Sequence, residues 1–125
     1  MEKQLAKIEN AKLEIKERGI LNFYIFVHYE DGGHQGVGGI ALDTFDKEKD
    51  CRIGTAYGCE MIRRLLLTLD VNDFSEMKDK HIWVHGEGYG FNFKPKGVES
   101  LSVDSDKPKK LIFDDVYKEF YGEKE

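Results

Sequence analysis

Alternation of apolar and charged residues predicts β-strands in the first part of the chain. From residue 10 onward, Ala11, Leu13 and Ile15 alternate with lysine and glutamate, which is typical of a strand with one solvated face. Residues 1–9 allow the start of a helix instead. The next run, ILNFYIFVHYE, is apolar on both faces. Such a strand lies inside a fold or in a subunit interface, so we expect a homo-oligomer, a dimer or larger.

Turn residues connect this run to a third predicted strand. The letters DGGH at residues 31–34 indicate a hairpin loop, and QGVGGIALD reads as the returning strand, so the sheet begins antiparallel. Gly36, Gly38 and Ala41 match the letters of the dinucleotide-binding fingerprint, but that motif must open a helix, and here the following residues continue as strand. We therefore interpret the glycines as a β-bulge or a close approach of two backbones.

One long amphipathic helix is predicted after the charged stretch TFDKEKDCR, which we expect to be a solvated loop. From Gly54 onward, apolar residues recur at the three-and-four spacing of a helix that packs on a sheet. Met61 and Leu67 fall outside this stripe. The residues of the predicted buried stripe are Ala56, Cys59, Ile62, Leu65, Leu66 and Leu69.

The remaining pattern completes an α+β fold. Asn72 or Asp73 is a candidate cap for a short helical turn, and the segment from His81 returns to strands that glycines interrupt. The chain then ends with a short strand or helix. We expect a single domain over residues 1–125: a small, mainly antiparallel sheet packed against one long amphipathic helix, with a short C-terminal strand or helix.

Composition narrows the class of protein. A chain of 125 residues fits one domain with a real core. No apolar run approaches the ~20 residues of a membrane span, and the first residues lack an apolar signal region, so we expect a cytoplasmic protein with no membrane partner. The 24 acidic and 19 basic residues give a net charge of −5, which argues against nucleic acid as a partner. Cys51 and Cys59 are expected to be reduced and structural.

The sequence contains no recognisable catalytic or metal-binding motif. His81 and His85 would lie ~13 Å apart in a strand, which is too far for one ion. The serines lie in polar stretches without the turn that exposes a nucleophile. We therefore expect no enzymatic activity, no metal and no cofactor.

The start of the long helix is the best candidate for a binding site. Free backbone amides there carry the positive end of the helix dipole, and Arg52, Gly54 and Thr55 add a guanidinium, open backbone and a hydroxyl for a phosphate. The alternative is an ordinary capped helix with Arg52 paired to a loop carboxylate. Asn92 offers an amide for the edge of a purine. The aromatic residues with a flat surface for the base are Tyr57, Trp83, Tyr89, Phe91 and Phe93.

Residues 10–85 carry a pattern that resembles small proteins of tailed phages. Its parts are the hairpin AKLEIKERGILNFYIFVHYEDGGHQGVGG, a Leu-Asp pair, a charged loop, Arg-x-Gly-Thr-Ala-x-Gly, an amphipathic helix and an acidic turn that ends in lysine. The chain is similar in this respect to the phage anti-Thoeris family of sponge proteins. The resemblance implies a non-enzymatic phage protein that acts in the host cytoplasm. Its expected ligand is the cyclic ADP-ribose isomer made by a bacterial TIR-domain defence enzyme, held intact in pockets at subunit interfaces.

The resemblance assigns ligand contacts to four matching positions, which are Arg52, Gly54, Thr55 and Tyr57. Phe91 and Asn92 lie beyond the matching region, and Lys94 and Lys109 are candidates from their charge. The alternative function is a phage inhibitor that binds a host defence protein directly through an acidic and aromatic surface.

Overall fold

Six strands form one antiparallel sheet in the computed structural model, which describes residues 1–101 and 110–122. Along the chain, the elements are β1 (Glu2–Ile15), a 3-10 turn (Glu17–Gly19), β2 (Leu21–Tyr29), β3 (His34–Ala41), β4 (Asp43–Asp46), β5 (Cys51–Gly54), α1 (Ala56–Leu69), a 3-10 turn (Phe74–Met77), β6 (His81–Glu87), a 3-10 turn (Gly90–Asn92), β7 (Lys94–Ser100), β8 (Lys110–Ile112) and α2 (Phe113–Tyr121). The strand order of the sheet is β3-β2-β1-β6-β7-β8. This architecture confirms the predicted α+β class.

The core lies between one face of the sheet and the two helices. Phe23, Ile25 and Val27 of β2 are fully buried, as the alternation in this strand predicts. The Phe23 ring meets the edge of Phe113 from α2 at a centroid distance of 5.8 Å. On the opposite face of β2, Tyr24 and Phe26 stack on each other, and Phe26 remains 37% exposed. The second apolar face of this strand is therefore only partly covered within one chain.

The first residues form a strand, and the expectation of a helix over residues 1–9 was wrong. β1 runs from Glu2 to Ile15 with a bulge between Ile8 and Asn10. Residues 2–7 of β1 pair with β6 on one side, and residues from 6 onward pair with β2 on the other. Ala6 and Ile8 are fully buried at alternate positions, so pairing with two neighbours decides the conformation where the local pattern is ambiguous.

The glycine run in β3 is a β-bulge, as predicted. The pairing shifts by one residue here, because Phe23 lies opposite Ile40 while Tyr24 lies opposite Gly38. Gly38 and Gly39 have φ angles of 110° and 72°, in the left-handed region that glycine tolerates best. A Cβ atom on Gly38 would lie 2.8 Å from the backbone carbonyl oxygen of Phe23. Both interpretations of the glycines, a bulge and a close approach, therefore hold.

The charged stretch at residues 44–52 is largely a β-hairpin, and its prediction as a loop was wrong. β4 pairs with β5 in a two-stranded sheet, which leaves residues 47–50 as the connection. The Asp46 carboxylate accepts the backbone N–H groups of Glu48 and Lys49 at 2.9 and 3.2 Å. Such local hydrogen bonds stabilise a tight turn between charged strands. The composition of the stretch does not indicate the strands, because its residues are mostly charged.

Helix α1 begins at Ala56 and buries a different stripe from the one predicted. Leu65 and Leu69 are buried as expected, but Cys59 is exposed and Met61 is fully buried. Gly58 lies against the backbone of Leu42, where an added Cβ would be 1.9 Å from the carbonyl oxygen. This close contact turns the face that contains residues 57, 58 and 61 toward the core.

The connections on either side of β6 follow the predicted pattern in part. Asp73 caps the turn Phe74–Met77 by accepting the N–H of Glu76, and Met77 is fully buried. The chain continues through β8 into α2, so the described C-terminal part contains both a strand and a helix. Among the described residues, no helix is long and apolar enough to cross a membrane.

Candidate functional site

Arg52 forms a two-pronged ion pair with Asp43 across the β4–β5 hairpin. Its Nε and Nη2 atoms donate to the two carboxylate oxygens at 3.0 and 2.7 Å. One carboxylate oxygen also accepts the backbone N–H of Leu21 at 3.1 Å. The bonds from Arg52 lower the pKa of Asp43, and the same bonds raise the pKa of Arg52. Arg52 therefore has the carboxylate partner of the alternative interpretation, which holds its guanidinium in place.

Thr55 caps α1 and joins it to the end of β3. Its hydroxyl accepts the N–H of Gly58 at 2.9 Å and donates to the carbonyl of Leu42 at 2.8 Å. Both bonds hold the helix start in position, and they use the hydroxyl hydrogen that a phosphate would need. Gly54 has open space around its Cα atom.

Tyr57 lies in a cluster of aromatic rings that joins the two helices. It is only 8% exposed and makes edge contacts with Tyr117, Phe120 and Tyr121 at centroid distances of 5.8, 6.0 and 5.4 Å. Burial raises the pKa of its hydroxyl. In one chain, Tyr57 therefore positions α2 and does not present a free ring face.

A surface cleft lies at the opposite end of β2. Its volume is about 600 Å³, against about 280 Å³ for a cleft between the end of α1 and β6. Phe91 projects fully into solvent at its rim. Gly32 and Gly33 adopt left-handed φ angles of 99° and 93° in the β2–β3 turn. The lining residues are Gln4, Tyr29, Asp31, Gly32, Gly33, His34, Gln35, Gly90, Phe91 and Phe93.

A chain of hydrogen bonds fixes the cleft floor. The Tyr29 hydroxyl donates to the Gln35 side-chain oxygen, and the Gln35 amide donates to the Phe93 carbonyl at 2.8 Å. The Tyr29 and Phe93 rings meet edge to face at 6.0 Å. Burial raises the pKa of Tyr29 to about 12, with a further contribution from Asp31. The floor is therefore neutral and rigid at physiological pH, while Phe91 at the rim is free to contact a ligand.

The predicted site residues separate into two groups within one chain. Arg52 lies at the Leu21 end of β2, through its bonds with Asp43, whereas Phe91 lies at the Tyr29 end. Leu21 and Tyr29 are eight residues apart in the strand, which is roughly 26 Å at a rise of about 3.3 Å per residue. A single small ligand therefore cannot contact both groups in the same chain.

The other predicted residues lie near the cleft or outside the described part. Asn92, in the 3-10 turn before β7, and Lys94, the first residue of β7, are exposed but do not line the cleft. Lys109 lies outside the described residues. Of the remaining aromatic candidates, Phe93 is buried and Tyr89 is exposed, while Trp83 carries Lys3 over its ring at 4.6 Å. Assignment of these residues to a ligand site stays a prediction.

The sequence did not identify three polar residues of the cleft as site residues: Gln4, His34 and Gln35. Glutamine at an alternating strand position resembles any other solvated residue, and nothing in the sequence links Gln35 to Phe93. The position of His34 in the predicted hairpin loop, residues 31–34, was the one available signal. Two cleft residues, Asp31 and His34, carry ionisable polar groups besides the Tyr29 phenol, and no Lys or Arg among the described residues lines the cleft. The cleft of one chain thus favours a flat, hydrogen-bonding group over an isolated anion.

Comparison with known proteins adds no assignment: no family model matches this chain, and no curated protein is significantly similar to it.

Proposed function

We propose that this protein binds a cyclic ADP-ribose isomer and sequesters it without degrading it, as a phage anti-defence protein in the host cytoplasm. The observation that carries the proposal is the cleft of about 600 Å³ with the fully exposed ring of Phe91 at its rim. Its volume lies within the range of roughly 300–1,000 Å³ that is usual for small-molecule sites. The resemblance of residues 10–85 to phage sponge proteins supplies the ligand class.

The base of such a ligand matches the chemistry of the cleft. An adenine ring stacks on an exposed aromatic side chain, and Phe91 offers this face. Hydrogen-bonding groups beside the Phe91 ring come from the side-chain amides of Gln4 and Gln35 and from the backbone of the turn at residues 32–33. Because the Tyr29–Gln35–Phe93 bonds already order the floor, binding costs little reorganisation there.

The pyrophosphate requires a positive charge, and the described lining of the cleft in one chain includes no Lys or Arg. Arg52 retains Nη1 for a ligand, since its bonds to Asp43 use Nε and Nη2. It lies roughly 26 Å from the cleft along β2, so it can reach a ligand in the cleft only from a second chain. The proposed ligand therefore lies between subunits, with its base on one chain and its phosphates on the other.

Calorimetry with a set of cyclic ADP-ribose isomers tests the ligand class. We expect saturable heat with at least one isomer, and recovery of that isomer unchanged after the complex is denatured by heat. A hydrolysed product would identify an enzyme instead. If no isomer gives heat and a host protein co-purifies, the protein is a direct inhibitor that acts through its acidic and aromatic surface.

The variant Phe91→Ala tests the location. Loss of base stacking is expected to weaken binding by about 1–3 kcal/mol, with the fold unchanged because Phe91 makes no core contact. Leu67→Ala is the control, since Leu67 is a half-exposed apolar residue near the end of α1, outside the cleft lining. Equal affinity of wild type and Phe91→Ala would place the base elsewhere.

A further inference from the structure

We propose that Glu9, His28 and His34 form a site for a divalent transition-metal ion such as Zn²⁺. The three exposed side chains come from the adjacent strands β1, β2 and β3, and their ligand atoms lie within 4.8 Å of one another. His28 and His34 are directly opposite across the two strands, with their rings stacked at 4.4 Å. His34 Nδ1 lies 2.7 Å from a carboxylate oxygen of Glu9.

This donor set matches the preferences of zinc. Two imidazoles and one carboxylate are the ligands of many zinc sites that keep a fourth position open for water or another ligand. Bonds of about 2.0–2.2 Å bring the donor atoms of a tetrahedral ion to roughly 3.4 Å from one another. The exposed side chains can make this small adjustment by rotation, while the paired strands hold their Cα atoms in place.

The charges around the site are compatible with a cation. Lys7 lies opposite His28 on β1, but its ammonium is 3.5 Å from Asp79, which offsets its charge. His34 also lines the larger cleft, so a bound ion would add positive charge at the edge of that cleft. This last consequence rests on the proposed function, whereas the metal site itself does not.

Titration of the chelator-treated protein with Zn²⁺ alone tests the site. We expect one ion per chain, and a loss of affinity of about tenfold or more in both His28→Ala and His34→Ala, since even outer groups of a metal site contribute at that scale. His81→Ala is the control, because His81 is also an exposed histidine beside a glutamate, 3.6 Å from Glu30. Absence of saturable binding, or an equal loss in His81→Ala, would overturn the proposal.

A different observation, the open edge of β1, leads to a second inference. β1 pairs with β2 over residues 6–15, but β6 pairs only with residues 2–7 on the other side. Backbone bonds from Lys80 and Asp79 extend this cover to Ile8. Beyond the bulge, residues 10–15 have no neighbouring strand on that side within the part of the chain that the structure describes.

The backbone groups of this segment point to the open edge. Leu21 lies opposite Ile15, and its carbonyl accepts the N–H of Leu42 on the far side of β2. In an antiparallel pair of strands, two opposite residues that are not hydrogen-bonded to each other direct their backbone N–H and C=O groups away from each other. Along each strand, these groups point alternately toward and away from the partner strand. Ile15, Leu13 and Ala11 therefore present theirs to the edge. The Ala11 N–H is met by the Asn10 side chain at 2.9 Å.

We infer that a second copy of the chain pairs with this edge in the antiparallel direction, with the two-fold axis at Leu13. In this register Leu13 lies opposite its own copy, Ala11 opposite Ile15, and Lys12 opposite Glu14 of the other protomer. Leu13 and Ile15 are 46% and 64% exposed in one chain. The pairing would therefore place apolar side chains opposite each other on one face and opposite charges on the other face.

The neighbouring registers are disfavoured by charge. A two-fold axis at Lys12 places two copies of Lys12 directly opposite each other. An axis at Glu14 opposes two copies of Glu14 and also places Lys12 against Lys16. Like charges at directly opposed positions destabilise a pair of strands, so the sequence of this edge specifies the register at Leu13.

A charge swap tests both the dimer and its register by sedimentation equilibrium of the full chain. We expect a dimer for the wild type. For Lys12→Glu we expect the affinity of dimerisation to fall by about tenfold or more, because symmetry creates two Glu–Glu contacts. Glu14→Lys is expected to behave alike, and the double variant Lys12→Glu, Glu14→Lys to restore the dimer. Lys49→Glu, in the exposed 47–50 connection, is the control with the same charge change.

Two outcomes would overturn this inference. One is a wild-type protein that stays monomeric at every concentration. The other is a double variant as weak as the single ones, which would place the interface elsewhere. Neither outcome depends on a ligand, so failure here is distinguishable from failure of the proposed function.

Discussion

The contact between α1 and the backbone after β3 makes Gly58→Ala a sharp test of the fold. A Cβ atom on residue 58 would lie 1.9 Å from the Leu42 carbonyl oxygen and 2.9 Å from the Leu42 Cα. Side-chain rotation cannot relieve a clash with backbone atoms. Leu42 is also held at both ends, since its N–H bonds to Leu21 at 2.8 Å and its carbonyl accepts from Thr55 at 2.8 Å.

The expected loss of stability follows from three contributions. Overfilling a tight contact costs about 3 kcal/mol at the upper end of its usual range. Displacing the Leu42 carbonyl also weakens its hydrogen bond from Thr55, at a cost of about 1 kcal/mol. Alanine is favoured over glycine inside a helix by about 1 kcal/mol. We therefore expect the free energy of unfolding of Gly58→Ala to fall by about 2–3 kcal/mol.

Urea denaturation followed by circular dichroism at the helix signal measures this difference. Gly54→Ala is the matched control, because Gly54 lies just before the helix with no atom within 4 Å of an added Cβ. Its free energy of unfolding is expected to change by less than about 0.5 kcal/mol. A Gly58→Ala protein as stable as the wild type would refute the close approach of α1 to Leu42.

Three further predictions concern single side chains. Thr55→Val keeps the shape but removes the cap, so the free energy of unfolding is expected to fall by about 1 kcal/mol in the same assay, and an unchanged value would mean that the cap contributes nothing. Because Arg52 lowers the pKa of Asp43, their pair stabilises the native state above the ordinary carboxyl pKa of 3.8, and this stabilisation is lost as the pH falls below that value. Denaturation measured over a series of pH values is expected to show a smaller loss of stability at acid pH in Asp43→Asn than in the wild type. Equal losses in the two proteins would contradict this. Burial raises the pKa of Tyr29 to about 12 from 10.0, so its contribution to stability is present below pH 10 and is lost between these two values. In an ultraviolet titration of the native protein, the phenol that ionises at the highest pH is expected to be missing in Tyr29→Phe. If that phenol is retained, it belongs to another tyrosine.

The sequence predicts those parts of the fold that a short period determines. Alternation places Phe23, Ile25 and Val27 on one face of β2, and the structure buries all three, because a period of two residues directly specifies the face of a strand. The bulge at Gly38 and Gly39 was predictable for a similar reason, since glycine in a strand marks unusual backbone.

The rotation of α1 and the hairpin at residues 43–54 depend on contacts between distant residues. Helical spacing alone favours Cys59 over Met61, but the approach of Gly58 to Leu42 decides which face turns inward. In the hairpin, most residues are charged or polar, so no extended alternation of apolar and polar residues marks its strands. Phe45 and Ile53 are the large apolar residues in this segment.

The candidate sites depend even more on tertiary structure. The interpretation of Arg52 and Thr55 as residues at a helix start was possible because they are neighbours in the chain. Gln35 and Phe93, in contrast, are 58 residues apart. Glu9 and His34 come from strands that become neighbours of β2 only in the folded sheet, so no local sequence motif indicates either the cleft or the group of Glu9, His28 and His34.

The bond from Gln35 to Phe93 also determines how ligand binding would couple to folding. It joins the hairpin at one edge of the sheet to the segment that leads into β7, across 58 residues of chain. The cleft therefore exists only when the strands between these two segments are assembled, and a ligand in it would bind the native state and not the unfolded chain. Occupancy would slow hydrogen exchange across the whole sheet, because the strands must separate together before the cleft opens.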